Sequence, residues 1–145
     1  TSDSTVGNTD GCTTYYEHET GNNQIKAGTA TAITANIQSG DFDLGVQGNL
    51  QGDTNAGEVM MKIRRVLPDF LTQTGTTRVT LNLKNYPTDS EASSSLGPFD
   101  ITASTDKIDT RARARAIALK ISNTGVAQHW KVGTFRLDIQ PDGRR

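Results

Sequence analysis

The sequence predicts a mainly β protein, an antiparallel β-sandwich-like module that ends in a long β-hairpin (about 111–121 and 130–140). Two observations carry this. Apolar residues recur at every second position in several stretches, whereas none of ten or more residues shows helical spacing. Between those stretches lie Gly, Asn, Asp, Ser and Pro, the residues that turn a chain. A length of 145 residues sets the expectation of one domain. We divide the chain into a flexible entry segment, residues 1–14, and a single all-β domain, residues 15–145.

Taken in order, the opening residues are polar and carry no apolar period. Residues 12–19 (CTTYYEHE) suit a strand because Thr and Tyr favour extended backbone. Gly21-Asn22-Asn23 reads as a turn, and residues 29–37 (TATAITANI) as the next strand. Glycines at 40, 45, 48, 52 and 57 punctuate a loop-rich stretch. Residues 58–67 (EVMMKIRRVL) form a strong strand candidate: Val59, Met61 and Ile63 share one face, and Met60, Lys62 and Arg64 the other. Pro68 ends it, having no ladder donor. Residues 78–83 (RVTLNL) alternate cleanly, with Val79, Leu81 and Leu83 inward. A Ser-rich loop is expected over residues 87–97.

The final stretch is read as a strand despite its alanines. A helix would scatter Arg111, Arg113 and Arg115 around its cylinder, whereas a strand places them on one face. On that reading Ala112, Ala114, Ala116 and Ala118 face one way and Ile117, Leu119 and Ile121 lie with the arginines. Residues 130–140 (WKVGTFRLDIQ) form the return strand. The expected register has partner numbers summing to about 251, an estimate from strand alternation. It sets Ala116, Ala114 and Ala112 opposite Phe135, Leu137 and Ile139, small against large. On the other face it pairs Ile121 with Trp130, Leu119 with Val132, Arg115 with Arg136 and Arg113 with Asp138.

The near-neutral formal charge of −1 hides a division along the chain. Residues 1–60 carry one base and eight acids, residues 61–110 six of each, and residues 111–145 eight bases and two acids. The acidic beginning and basic end either meet on folding or serve an interaction surface. Arg111, Arg113, Arg115, Arg136, Arg144 and Arg145 are the candidate inter-subunit or DNA-facing basic surface. Three roles are open to the comb Arg111/Arg113/Arg115: a solvated strand end paired with Asp138 and other carboxylates, a contact to the acidic half of a neighbour, and direct phosphate binding.

Other chemistries find little footing. The one cysteine, Cys12, allows no intrachain disulfide and no paired-cysteine zinc site. On a strand Glu17 and Glu19 point away from His18, and nothing fixes the distance to His129. Asp41, Asp43 and Asp53 lie among glycines but lack the spacing of a calcium loop. Gly-x-Ser-x-Gly and His-Glu-x-x-His are absent from the sequence. No catalytic, cofactor or metal residue is assigned, and Trp130 is expected in the core. No apolar run is long enough to span a membrane.

The order of four segments carries a resemblance: YYEHETG at 15–21, AITANIQSGDFDLG at 32–45, MKIRRVLPDF at 61–70, and RARARAIALKISNTGVAQHWKVGTFRLDIQPDGRR at 111–145. Together they resemble the carboxy-terminal region of the tail nozzle, tail tubular or packaged-DNA stabilisation proteins of short-tailed bacteriophages. The resemblance implies a non-enzymatic virion component without cofactors, in a homo-oligomeric, hexameric ring around the DNA exit channel. It further implies contacts with other tail or head-to-tail connector proteins, and non-specific contact with passing DNA. Proteins of that family are longer, so the non-Met residue Thr1 is expected to mark a processed chain or part of a larger one. The alternative reading is a receptor- or glycan-binding module on the virion surface, using Tyr15, Tyr16 or Trp130. A glycosidase built on Glu17 with Asp41 or Asp43 is a third, weaker arrangement.

Overall fold

The computed structural model describes residues 21–26, 28–44, 59–86, 88–90 and 94–144, without the side chains of Lys26 and Arg144. Every regular element among them is a strand: β1 (Asn23–Lys26), β2 (Thr29–Ala32), β3 (Ala35–Gln38), β4 (Val59–Leu67), β5 (Phe70–Thr74), β6 (Thr77–Lys84), β7 (Ser95–Ile101), β8 (Ile108–Ala114), β9 (Ala116–Asn123), β10 (His129–Val132) and β11 (Arg136–Arg144). The entry segment 1–14, the strand expected at 12–19, the glycine-rich stretch 45–57 and Arg145 lie outside the described residues.

One bent antiparallel ribbon organises the rest. The run β4-β5-β6 is paired throughout with β9-β10-β11: Ile121 with Val79 (sum 200), Trp130 with Gln73 (sum 203), Leu137 with Val66 (sum 203). The ribbon folds over so that its two arms fall in different sheets. One arm gives the three-stranded sheet β11-β4-β8, the other the four-stranded sheet β3-β9-β6-β7, and β5-β10 closes one end. β1 and β2 form a separate hairpin, with Gly28 between them at φ +77°.

Alternation decides what goes inside. Met61, Ile63 and Val66 of β4 with Ala112 and Ala114 of β8 meet Val79 and Leu81 of β6 with Ile117 and Ile121 of β9, and all are buried in one core. This is the sandwich that the alternation predicts. The strands expected at 58–67 and 78–83 are β4 and β6; Val59, Met61, Ile63, Val79 and Leu81 are buried as expected, whereas Leu83 is half-buried and Asn82 beside it is buried.

The terminal hairpin is not formed. Residues 111–121 are two strands broken at Arg115: β8 pairs with β4, and β9 with β6 and β3. The expected register near 251 therefore fails, along with the pairings of Arg115 with Arg136, Arg113 with Asp138, Ile121 with Trp130 and Leu119 with Val132. The reason is the core. A single strand buries either its even alanines or its odd isoleucines, because neighbours point to opposite faces. Passing from one sheet to the other at Arg115 changes which parity faces the core: Ala112 and Ala114 belong to it before the break and Ile117 and Ile121 after it, while Ala118, also buried, is not part of that cluster. The Arg115 amide donates to Lys84 O at 3.0 Å, tying the crossing to the end of β6. Small still faces large, but on β4: Ala114 lies opposite Met61 and Ala112 opposite Ile63.

The return strand is divided as well. Gly133, Thr134 and Phe135 separate β10 from β11 at the corner where Pro68 and Asp69 separate β4 from β5. There the Gly133 amide donates to Asp69 O at 2.8 Å and the Thr134 amide to Asp69 Oδ2 at 2.9 Å. Phe70 and Phe135 meet edge-on across the bend, with ring centroids 5.2 Å apart. Elsewhere the strand expected at 29–37 is split into β2 and β3, β1 takes up Asn23 of the expected turn, and β7 begins inside the expected Ser-rich loop.

Candidate functional site

The outer face of β11-β4-β8 gathers three of the six candidate arginines, Arg111, Arg113 and Arg136. On β8, Arg111 and Arg113 alternate with the buried Ala112 and Ala114, so both arginines face outward. On β11, Arg136 and Asp138 alternate with Leu137 and Ile139, which pack on the core. β4 contributes Lys62, Arg64 and Arg65. The ladder between β4 and both neighbours is irregular between Ile63 and Arg65. Ile63 and Val66 are both fully buried, so the two consecutive arginines between them are carried to the surface side. A shallow cavity of about 390 Å³ lies here, lined by Lys62, Arg64, Arg65, Asp109, Arg111 and Asp138.

Ion pairs account for part of this charge. Arg65 Nε lies 2.7 Å from Asp109 Oδ1, and Lys107 Nζ lies 3.3 Å from Asp109 Oδ2. The hydrogen bond from Arg65, followed by that from Lys107, holds the Asp109 carboxyl below its ordinary range, and the same bond to Asp109 raises the Arg65 guanidinium. Arg113 Nε donates to Asp142 Oδ2 at 2.6 Å, and its Nη2 to the Asp142 carbonyl at 3.1 Å. Among the described residues Lys62, Arg64, Arg111 and Arg136 make no ion pair. On the other sheet Arg78 is paired with Asp100 at 3.1 Å and Lys84 with Asp41 at 2.7 Å, while Lys120 makes no ion pair among the described residues.

The candidate residues thus separate. Arg111, Arg113 and Arg136 share the face. Arg115 does not; it stands half-buried at the crossing between sheets. Arg144 pairs through its backbone with Val59. Lys62, Arg64 and Arg65 belong to the face although no site was assigned to them. Their signal was in the sequence, where Lys62 and Arg64 alternate with apolar residues, but that β4 lies beside the arginine strand is a long-range fact.

Trp130, the candidate stacking platform, has its indole N–H committed: Nε1 donates to Asn123 Oδ1 at 2.9 Å. Its ring packs against the core while one side borders a cavity of about 310 Å³ with Asn22, Ile33, Gln128 and His129. Tyr15, Tyr16, Cys12, Glu17, His18, Glu19 and Asp53 lie outside the described residues. Among the described residues no three metal-ligating side chains converge, and no helix is long and apolar enough to cross a membrane. Comparison with family models, curated proteins and solved structures gives no match to the chain.

Proposed function

We propose that the chain is a non-enzymatic structural module of a bacteriophage tail, working in a homo-oligomeric ring of nozzle or tubular type around the DNA exit channel. One observation carries the reading. Two of the motifs that bear the resemblance, the arginine-rich strand and the Pro-Asp-Gly-Arg ending, meet in a single contact, Arg113 on Asp142. Residues that carry the resemblance therefore take part in a contact of the sandwich itself. The division of charge along the sequence supports assembly, since an acidic beginning and a basic end are complementary in charge for a heterologous contact that closes.

Sedimentation velocity and electron microscopy of the protein test this. Closed rings of uniform size are the expected result. A monomer that persists at every concentration, with no rings on the grid, sinks the proposal. Among the described residues the adhesion reading has only Trp130, half-buried beside the cavity of about 310 Å³, while Tyr15 and Tyr16 lie outside them.

A further inference from the structure

We infer that Asp142-Gly143 is a site of spontaneous backbone isomerisation, from aspartate through a succinimide to isoaspartate, and that Arg113 restrains it. The inference does not rest on ring assembly; it follows from the chemistry of one dipeptide and from how the fold holds it.

The reaction brings a side-chain carboxyl group to the amide nitrogen of the next residue. That nitrogen bonds to Cγ, one carboxyl oxygen leaves as water, and a five-membered succinimide closes. Water then opens the ring. Attack at Cγ breaks the new bond and restores aspartate, whereas attack at the main-chain carbonyl carbon breaks the old peptide bond and leaves the glycine linked through Cγ. One water is lost and one regained, and no oxidant, reductant or co-reactant takes part. A side chain on the following residue obstructs the closure, so glycine is the permissive neighbour. Asp10 and Asp142 are the only aspartates followed by glycine, and no asparagine is. Asp10 lies outside the described residues.

The fold leaves Asp142-Gly143 open to this chemistry. Both residues fall in the interruption of the β4–β11 ladder between Pro141 and Arg144, outside its pairing. Gly143 is exposed, at φ +80°, and a Cβ built on it would meet nothing within 4 Å. There is room for the peptide to turn and for water to attack. Asp138 on the same strand is the contrast. It is paired with Arg65 in the ladder and is followed by the β-branched Ile139.

Arg113 opposes the closure. Its Nε holds Asp142 Oδ2 at 2.6 Å and its Nη2 holds the Asp142 carbonyl at 3.1 Å. Closing the ring takes two rotations, one about Cα–Cβ that swings the carboxyl toward the Gly143 nitrogen, and one about Cα–C that turns the peptide. The first displaces one acceptor of Arg113 and the second displaces the other. Reaction therefore proceeds from molecules in which the clasp is open. In the product the two acceptors exchange roles, the carboxyl becoming the peptide carbonyl and the carbonyl becoming the carboxylate. The backbone gains one atom, which displaces Arg144 from its place opposite Val59.

The test ages the whole protein in warm neutral buffer beside Arg113→Gln and Arg113→Lys, with circular dichroism confirming that each is folded. Trypsin releases residues 137–144 (LDIQPDGR), and electron-transfer fragmentation reads isoaspartate at 138 and 142 separately. Arg113→Gln should react about 1.5–5 times faster than the parent, the range set by an ion pair of this exposure. Arg113→Lys keeps the charge but loses the two-point grip, and should fall between them. In guanidinium chloride at an unfolding concentration all three should react at one rate. Asp138 should stay aspartate in the folded proteins, and the aged fraction should exchange deuterium faster at Arg144 and Val59. The inference is overturned if folded Arg113→Gln forms no isoaspartate at 142 while the unfolded chain does. It is equally overturned by a rate in folded Arg113→Gln no higher than in the parent, by a difference between them that persists on unfolding, or by Asp138 reacting as fast as Asp142.

Discussion

Arg113 grips Asp142 at two points, its Nε on the carboxylate Oδ2 at 2.6 Å and its Nη2 on the backbone carbonyl at 3.1 Å. β8 and β11 are the two outer strands of their sheet, separated by β4, so the contact reaches over the central strand. It fastens the end of β11, where the ladder with β4 is interrupted between Pro141 and Arg144. Arg113 is thereby distinguished from Arg111 on the same strand face: one closes the sheet, the other stays available.

Arg113→Ala should accordingly act locally. Both side chains are about two-fifths exposed (42% and 38%), and a pair so placed contributes about 0.2–1 kcal/mol. Denaturant unfolding should show a loss no larger than about 1 kcal/mol. Hydrogen exchange should show faster exchange at the amides of Gly143, Arg144 and Val59, with Ile63 and Val79 unchanged. Loss of protection throughout β4 would contradict the clasp.

A second prediction concerns acid. In the folded protein Asp109 titrates below its ordinary value because Arg65, then Lys107, hydrogen-bonds its charged form. A depressed folded value means that the unfolded chain binds the proton first as pH falls. The contribution to stability is complete above the unfolded carboxylate value of about 3.9 and is lost as pH drops through the lower folded value. Carboxyl-resolved NMR titration should place the Asp109 midpoint below that of a model peptide. Arg65→Gln should bring it upward, and an unchanged midpoint would show that the hydrogen bond is not its cause.

The extent to which the fold was legible follows from which contacts are local. β4 and β6 were readable because Met61, Ile63, Val79 and Leu81 alternate within their own segments. The alternation of Ala112 and Ala114 with Arg111 and Arg113 was readable for the same reason. The change of parity at Arg115 was not, because both isoleucines and alanines fit the same period and only a second sheet turns both toward one core. Partner choice was equally hidden. The last strand pairs with residues about seventy or more positions away, as with Asp138 on Arg65, and no spacing within residues 111–140 announces that. For the same reason the arginines of β8 were found and the cations of β4 beside them were not.

Asn123 is the next point of test. It is almost fully buried, at 3% exposure, and its Oδ1 accepts the Trp130 indole N–H where β9 turns toward β10. Asn123→Ala leaves that donor without its acceptor in a half-buried site, a loss of about 1–3 kcal/mol. Asn123→Asp keeps an acceptor for Trp130 but loses the Nδ2 donor to Ile33 O at 3.4 Å and buries an unpaired carboxylate, so at neutral pH it should cost at least as much as the alanine change. Urea unfolding followed by Trp130 fluorescence, the only tryptophan of the chain, reads both. Equal stability of the alanine variant and the parent would show that this bond contributes nothing.

The corner between β10 and β11 yields the sharpest test, because one residue has no room to change. A Cβ on Gly133 would stand 2.6 Å from Asp69 Oδ2 and 2.8 Å from its Cγ. The carboxylate cannot simply swing away, since Oδ2 accepts the Thr134 amide and the Asp69 carbonyl accepts the Gly133 amide. Gly133→Ala must therefore break the side-chain bond or open the bend that Phe70 and Phe135 close. A loss of about 1–3 kcal/mol is expected, combining overpacking with an unsatisfied amide. Asp69→Ala alone removes one hydrogen bond to a backbone amide and should cost about 1 kcal/mol. The double variant separates the two effects: without the carboxylate the three nearest atoms to the new methyl are gone, so Gly133→Ala should cost far less in the Asp69→Ala background than in the parent. Strictly additive losses would mean that the glycine is required for the backbone of the bend and not for the approach of Asp69.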